Sequence, residues 1–272
     1  MTKWIRRTSA GAIAAGFATL FLLMAGVSSA EDTADGWSSE LALSIAAQSG
    51  TTDTFLGSVD AGAERDWNDT DLVKVRFTGV YGTSRKRRDG RKSTETIQNA
   101  QSLVSNWKHR IQDRFFWSSG TGLARDNIQD LELRVSLETG PGYRIWMGEE
   151  PGKSHFDFSG GLGYRYEIYD GNTGGTLAEN GETNHFADLV TAFEYKNLFF
   201  EDRVEYSHTA SLRVPANDFG SFVVFTEMIF AIPLTKGWSF RTVFYLEYVA
   251  EPGADEVNNT TTRTSVGLGY KF

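Results

Sequence analysis

The chain contains no cysteine, which excludes a disulfide scaffold and thiol chemistry. Past residue 26, no segment approaches the roughly 18 continuous apolar residues that a membrane helix needs. Net basic charge is also missing. The formal charge is −8, so no basic field attracts phosphates, and nucleic acid is not an expected partner. A local nucleophile–base pattern is absent as well. On a strand, same-face neighbours lie two apart, yet His109, His155, His185 and His208 are followed at that spacing by Ile111, Asp157, Ala187 and Ala210. No serine stands where a serine esterase would place it, and no catalytic residue is expected. Asp170-Gly171-Asn172-Thr173-Gly174 opens like a calcium loop, but Gly181 occupies the position of the closing Glu. No metal site and no cofactor are expected.

What the chain does contain begins at its start. Lys3, Arg6 and Arg7 precede the uncharged run from Ala10 to Gly26, and Ser28-Ser29-Ala30 precedes Glu31. This is the pattern of a cleaved secretory signal peptide over residues 1–30. Residues 31–272 then form one domain. Removing the three leader cations leaves a charge of −8 − 3 = −11.

That remainder alternates with period two, the signature of strands with one oily and one wet face. The clearest case is the last segment, Thr260 to Phe272. Thr262, Thr264, Val266, Leu268, Tyr270 and Phe272 fall on one face, and Arg263, Ser265, Gly267, Gly269 and Lys271 on the other. Such a segment suits the closing strand of an outer-membrane barrel, with Tyr270 and Phe272 in the interfacial girdle. An aromatic terminal strand also resembles the signal read by the barrel-assembly machinery. Similar alternation marks segments near Trp37, Phe55–Trp67, Val73–Tyr81, Leu131–Leu137, Phe156–Ile168, Phe199–Leu212 and Trp238–Val249. Thr96–Ile111 alternates poorly. The count comes to about twelve, an all-β, transmembrane, up-and-down antiparallel barrel with both termini at the periplasmic side. Short connections at 68–70, 196–198 and 235–237, and long ones at 84–95, 170–184 and 250–259, agree with that parity. Gly140 to Lys153 reads as a long connection where a short one belongs.

In this arrangement the wet faces line a lumen. The acids expected there are Asp60, Glu64, Glu132, Glu138, Asp157, Glu167, Asp188, Glu194, Glu201, Glu205, Glu227 and Glu247. The bases include Lys74, Arg76, Arg134, Arg165, Arg203, Arg241 and Arg263. Twelve strands lie between an eight-stranded barrel filled by side chains and a sixteen-stranded open channel. A narrow pore or a plugged barrel both fit, and an acid excess favours small cations if water passes. A basic run, Arg85-Lys86-Arg87-Arg88 with Arg91 and Lys92, falls in the expected second outer loop. Lipopolysaccharide phosphates are its natural partner there, with outer-membrane lipid around the barrel wall.

Several stretches together resemble the salt-induced outer-membrane protein family (YdiY-like). They are Trp37 with Leu41 and Leu43, Asp113-Arg114-Phe115-Phe116, Arg134 with Gly140-Pro141-Gly142-Tyr143, Gly160 to Glu167, and Gly267 to Phe272. The resemblance spans essentially all of residues 31–272. It implies an outer-membrane barrel and no established activity. Where the family often carries Gly-Asn before a Thr, this chain has Gly50-Thr51-Thr52-Asp53-Thr54.

Overall fold

The computed structural model describes residues 36–48, 52–67, 70–88, 91–128, 131–148, 153–169, 183–235, 237–250 and 259–272. The leader expected over residues 1–30 and the calcium-like stretch after Tyr169 lie outside them.

Twelve strands account for nearly all of these residues: β1 (Trp37–Gln48), β2 (Thr52–Trp67), β3 (Asp71–Arg88), β4 (Arg91–Arg110), β5 (Phe115–Asp126) and β6 (Leu131–Met147). The second half comprises β7 (His155–Tyr169), β8 (Thr183–Phe199), β9 (Val204–Pro215), β10 (Val223–Thr235), β11 (Trp238–Val249) and β12 (Thr260–Lys271). Each pairs antiparallel with its neighbours in sequence, and β1 pairs with β12 to close the ring. At the seam Glu40 faces Lys271 and Leu43 faces Leu268. The backbone of Ser39 exchanges two hydrogen bonds with Phe272, at 3.0 and 2.9 Å. Closure leaves the ring without an edge strand, although the first residues of β4 extend beyond its pairing with β5, which begins at Ala100.

The two faces invert the order of a water-soluble core. Leu43, Ile45 and Leu162 are 60%, 62% and 66% exposed on the outside, whereas Asp157, Glu167 and Asp188 are each 2% exposed inside. β12 shows the expected division: Val266, Leu268 and Tyr270 are exposed, and Ser265 is buried. One asymmetry runs along the barrel axis. Of seven tryptophans, Trp4 lies outside the described residues. The other six, Trp37, Trp67, Trp107, Trp117, Trp146 and Trp238, all sit at the end where β1 starts and β12 finishes.

Four expectations are corrected. β6 does not stop at Gly140; it runs through Gly140-Pro141-Gly142 to Met147, and a short connection then leads to His155. Pro141 lacks an N–H and so looks like a loop residue. The flanking glycines serve close packing instead. A Cβ on Gly140 would stand 2.3 Å from the Gly160 carbonyl, and one on Gly142 would stand 2.2 Å from the Phe116 ring. With β6 lengthened, the parity exception disappears. Secondly, the basic run is not a loop. Arg85 to Arg88 continue β3, Arg91 and Lys92 begin β4, and Arg88 is in register with Arg91. Thirdly, the connection expected at 196–198 is strand; the turn is Phe200-Glu201-Asp202, whose φ values are 56°, 58° and 64°. Left-handed backbone at three successive residues carrying side chains is unfavourable, and no sequence rule points to it. Fourthly, β6 bulges at Glu132, where the register with β7 slips between Leu131 and Leu133. An extra residue reverses which face follows, so Leu131, expected outside, is buried at 2% exposure.

Candidate functional site: the charged lumen

The inward side chains form ion-pair clusters at three levels along the barrel. Nearest the termini, β3, β4 and β8 contribute Lys74, Lys108 and Glu194. Lys74 Nζ donates to Glu194 Oε1 at 2.8 Å, and Lys108 Nζ donates to Glu194 Oε2 at 2.6 Å. Lys108 also reaches Asp157 Oδ2 at 3.0 Å, and Arg144 donates to both Asp157 oxygens at 2.7 and 3.0 Å. Glu64 stands 3.9 Å from Lys74, at the periphery. His155, Asp157 and Glu194 lie close enough together to resemble a metal-ligand set. However, Lys108 Nζ bridges the two carboxylates where a cation would bind, so the charge there is already balanced.

At mid-barrel, Arg76 holds Asp60 through Nε and Nη2, at 3.0 Å to Oδ1 and 2.9 and 2.6 Å to Oδ2. From the same guanidinium, Nη1 meets Glu227 Oε1 at 2.5 Å and Nη2 meets Oε2 at 3.2 Å. Bidentate pairing of this kind fixes the guanidinium plane. At the level farthest from the termini, Glu167 accepts from Arg134 at 2.6 Å, Arg165 at 3.1 Å and the Tyr169 hydroxyl at 2.8 Å. Arg165 also donates to Asp188 at 3.2 Å, and Arg134 lies 3.8 Å from Glu247. Arg263 stacks over Tyr245 at 4.6 Å.

Pairing is what lets such charges leave bulk water, because an isolated buried charge is very costly. The pairs also cross the lumen. Around the ring, β3 and β8, β3 and β10, and β6 and β11 are each five positions apart. Lys74–Glu194, Arg76–Glu227 and Arg134–Glu247 join those strands in turn.

Most of the lining was expected, with exceptions. Glu201 and Arg203 belong to the exposed turn after β8, not to the lumen; their side chains are 89% and 78% exposed. Glu132 sits at the bulge and is exposed. Glu205 does point inward and pairs with Lys196 at 2.8 Å, while Arg241 pairs with Glu40. Four bases were missed: Lys108, Arg144, Lys196 and Arg213, the last bonded to Glu138 at 2.8 Å. Arg144 and Lys196 fell in stretches that read as connections. Arg213 lies just past the expected end of its strand, and Lys108 lies in the poorly alternating fourth. With these four added, the acid excess in the lumen largely vanishes.

The histidines each have a partner other than serine. His109 bonds Asp71 at 2.9 Å, His185 bonds Tyr164 at 2.6 Å, and His208 bonds Thr226 at 2.8 Å. His155 Nε2 lies 3.5 Å from Glu194.

The fold and lining together define a closed, twelve-stranded antiparallel barrel with an apolar exterior and a paired, charged interior. The chain belongs to a protein family of unknown function, DUF481, whose model matches residues 41–272. No curated protein matches it. Among solved structures, it resembles the translocator domain of the autotransporter NalP from Neisseria meningitidis, with 12% identity, a TM-score of 0.45, and coverage of 97% of this chain and 98% of that one. It also resembles the NanC porin, at 9% identity and a TM-score of 0.47, covering 86% and 100%. An outer membrane channel from Pseudomonas putida F1 gives 10% identity and 0.45, covering 90% and 98%. Likenesses this distant assign no activity.

Proposed function

We propose that residues 1–30 direct export and that residues 31–272 form an outer-membrane barrel acting as a narrow passive pore for small ions. The observation that carries this reading is the inversion of the two faces. A wall of exposed Leu, Ile, Val and aromatic side chains suits hydrocarbon, and a charged interior needs water or partners. The six outward tryptophans at the terminal end fit a periplasmic interface belt. Cation preference is modest, since bases nearly balance acids along the lumen. The resemblance to salt-induced envelope proteins adds the expectation that the barrel serves under salt stress.

The test has two stages. The protein should fractionate with outer membranes and change its gel mobility on boiling in detergent. Refolded protein in planar bilayers should then give small, stepwise conductance. Silence from protein that shows the mobility change would refute the pore. A second reading, a non-conducting structural barrel that binds lipopolysaccharide, is favoured by the three cross-lumen pairs and by the basic β3–β4 hairpin. It predicts silence together with lipopolysaccharide binding that is lost when Arg85, Lys86, Arg87 and Arg88 are replaced by Ser.

A further inference from the structure

The middle of the lumen differs from the levels above and below it. Glu227 projects from the inner face of β10, where its same-face neighbours are Val223, Phe225, Ile229 and Ala231. It is 6% exposed. A carboxylate in an apolar stripe has no neighbour on its own strand to neutralise it, and its cost must be met from elsewhere. The group that meets it is Arg76, from β3, five positions around the ring. Asp60, next to Arg76 on β2, orients that guanidinium by holding Nε and Nη2, and the Thr78 hydroxyl donates to Asp60 at 3.0 Å. Asp60, Arg76 and Glu227 therefore make one unbroken bridge from wall to wall. Two carboxylates share one guanidinium, so this cluster carries a formal charge of −1.

We infer that Arg76 is the specificity-determining residue of the pore: its bridge to Glu227 sets the width of the passage at mid-barrel, and the surplus carboxylate sets its preference for cations. The inference rests on the pore reading. A fixed charge at a low-dielectric constriction weighs most on a permeant ion where the passage is narrowest. Removing either end of the bridge widens the lumen, but the two removals change its charge in opposite directions.

The experiment is single-channel conductance and reversal potential in a KCl gradient, on refolded protein whose gel mobility shifts on boiling. Arg76→Gln should raise conductance about twofold or more and raise the potassium-to-chloride permeability ratio about threefold or more. Glu227→Gln should raise conductance similarly and abolish the cation preference. Arg76→Lys keeps the charge but loses the bidentate fork, so it should raise conductance and leave the reversal potential in place. The double exchange, Arg76→Glu with Glu227→Arg, should restore both properties. A folded but silent parent with conducting variants refutes both the pore and the inference, because the native bridge then closes the lumen instead of setting its selectivity. If the parent conducts and these variants match it, the inference is overturned and the pore stands. If parent and variants are all folded and all silent, the pore itself is refuted.

Discussion

Glu167 tests whether the ion pairs hold the barrel together. It is 2% exposed and accepts from Arg134, Arg165 and Tyr169. Replacing it by Ala removes three charge-assisted bonds, two from guanidiniums and one from the Tyr169 hydroxyl, each worth about 1.5–3 kcal/mol before any relaxation. It also leaves two guanidiniums short of a partner. Breaking one side of a buried ion pair typically costs about 3–5 kcal/mol. Here Arg165 keeps Asp188 at 3.2 Å, and Arg134 keeps Glu247 at 3.8 Å. Some charge therefore remains compensated, which places the expected loss near the lower end, about 3 kcal/mol. Glu167→Gln keeps the shape and one acceptor and should lose less than Ala does. The assay is urea unfolding in lipid vesicles, followed by tryptophan fluorescence and by the mobility shift on boiling. Glu201→Ala, in the exposed turn, is the control and should fall within about 0.5 kcal/mol of the parent. If Glu167→Ala costs less than about 1 kcal/mol, the value usual for surface pairs, the level is as wet as a surface and the argument from burial fails.

Further predictions follow from packing, the seam and the outer turn. Gly142→Ala places a methyl 2.2 Å from the Phe116 ring, and overpacking of this kind costs about 1–3 kcal/mol; adding Phe116→Leu should recover part of that loss in the same unfolding assay. Deleting Phe272 removes its backbone pairing with Ser39 and its stack on Tyr270, and should reduce the amount of barrel recovered from outer membranes; unchanged recovery would remove the assembly role given to Tyr270 and Phe272. In the turn after β9, hydrogen bonds from Ser221 and the Gly220 amide hold the Asp218 carboxyl below its ordinary range. Its depressed value means that these bonds stabilise the turn above the unfolded pKa of about 3.9 and are lost as pH falls through the lower folded value. Nicking between Ala216 and Phe222 by an acid-active protease should rise over that window, and Asp218→Asn should flatten the rise.

The seam strand was readable because its alternation is a property of consecutive residues. Val266, Leu268 and Tyr270 report their face through spacing alone, and that spacing survives in the structure. The same logic failed at Glu132, where one inserted residue in a bulge turned the count over. It failed at Pro141 too, because Gly140 and Gly142 answer to the backbone of Gly160 and the ring of Phe116, which lie on other strands. The left-handed turn at Phe200-Glu201-Asp202 uses residues that ordinarily avoid that conformation, so Glu201 and Arg203 read as strand. The lumen's charged residues were largely visible, but their partners were not. Arg76 and Glu227 are 151 residues apart in sequence, and only closure of the ring decides which wall faces which. Lys108 shows the converse: a weakly alternating strand hid a cation that joins Asp157 to Glu194.

Under the proposed outer-membrane reading, the gathering of six tryptophans at one end bears on how the barrel enters its membrane. If insertion proceeds from the periplasm, the opposite hairpins cross first and the tryptophan end arrives last. Indole rings settle at the headgroup region and resist passing through hydrocarbon. That ring of side chains would then act as a depth stop, halting the barrel with the terminal end at the face it entered from. Nearly all of the protein's intrinsic fluorescence would report the final step of insertion and little of the earlier ones. The timing of that last step could be read without attaching any label.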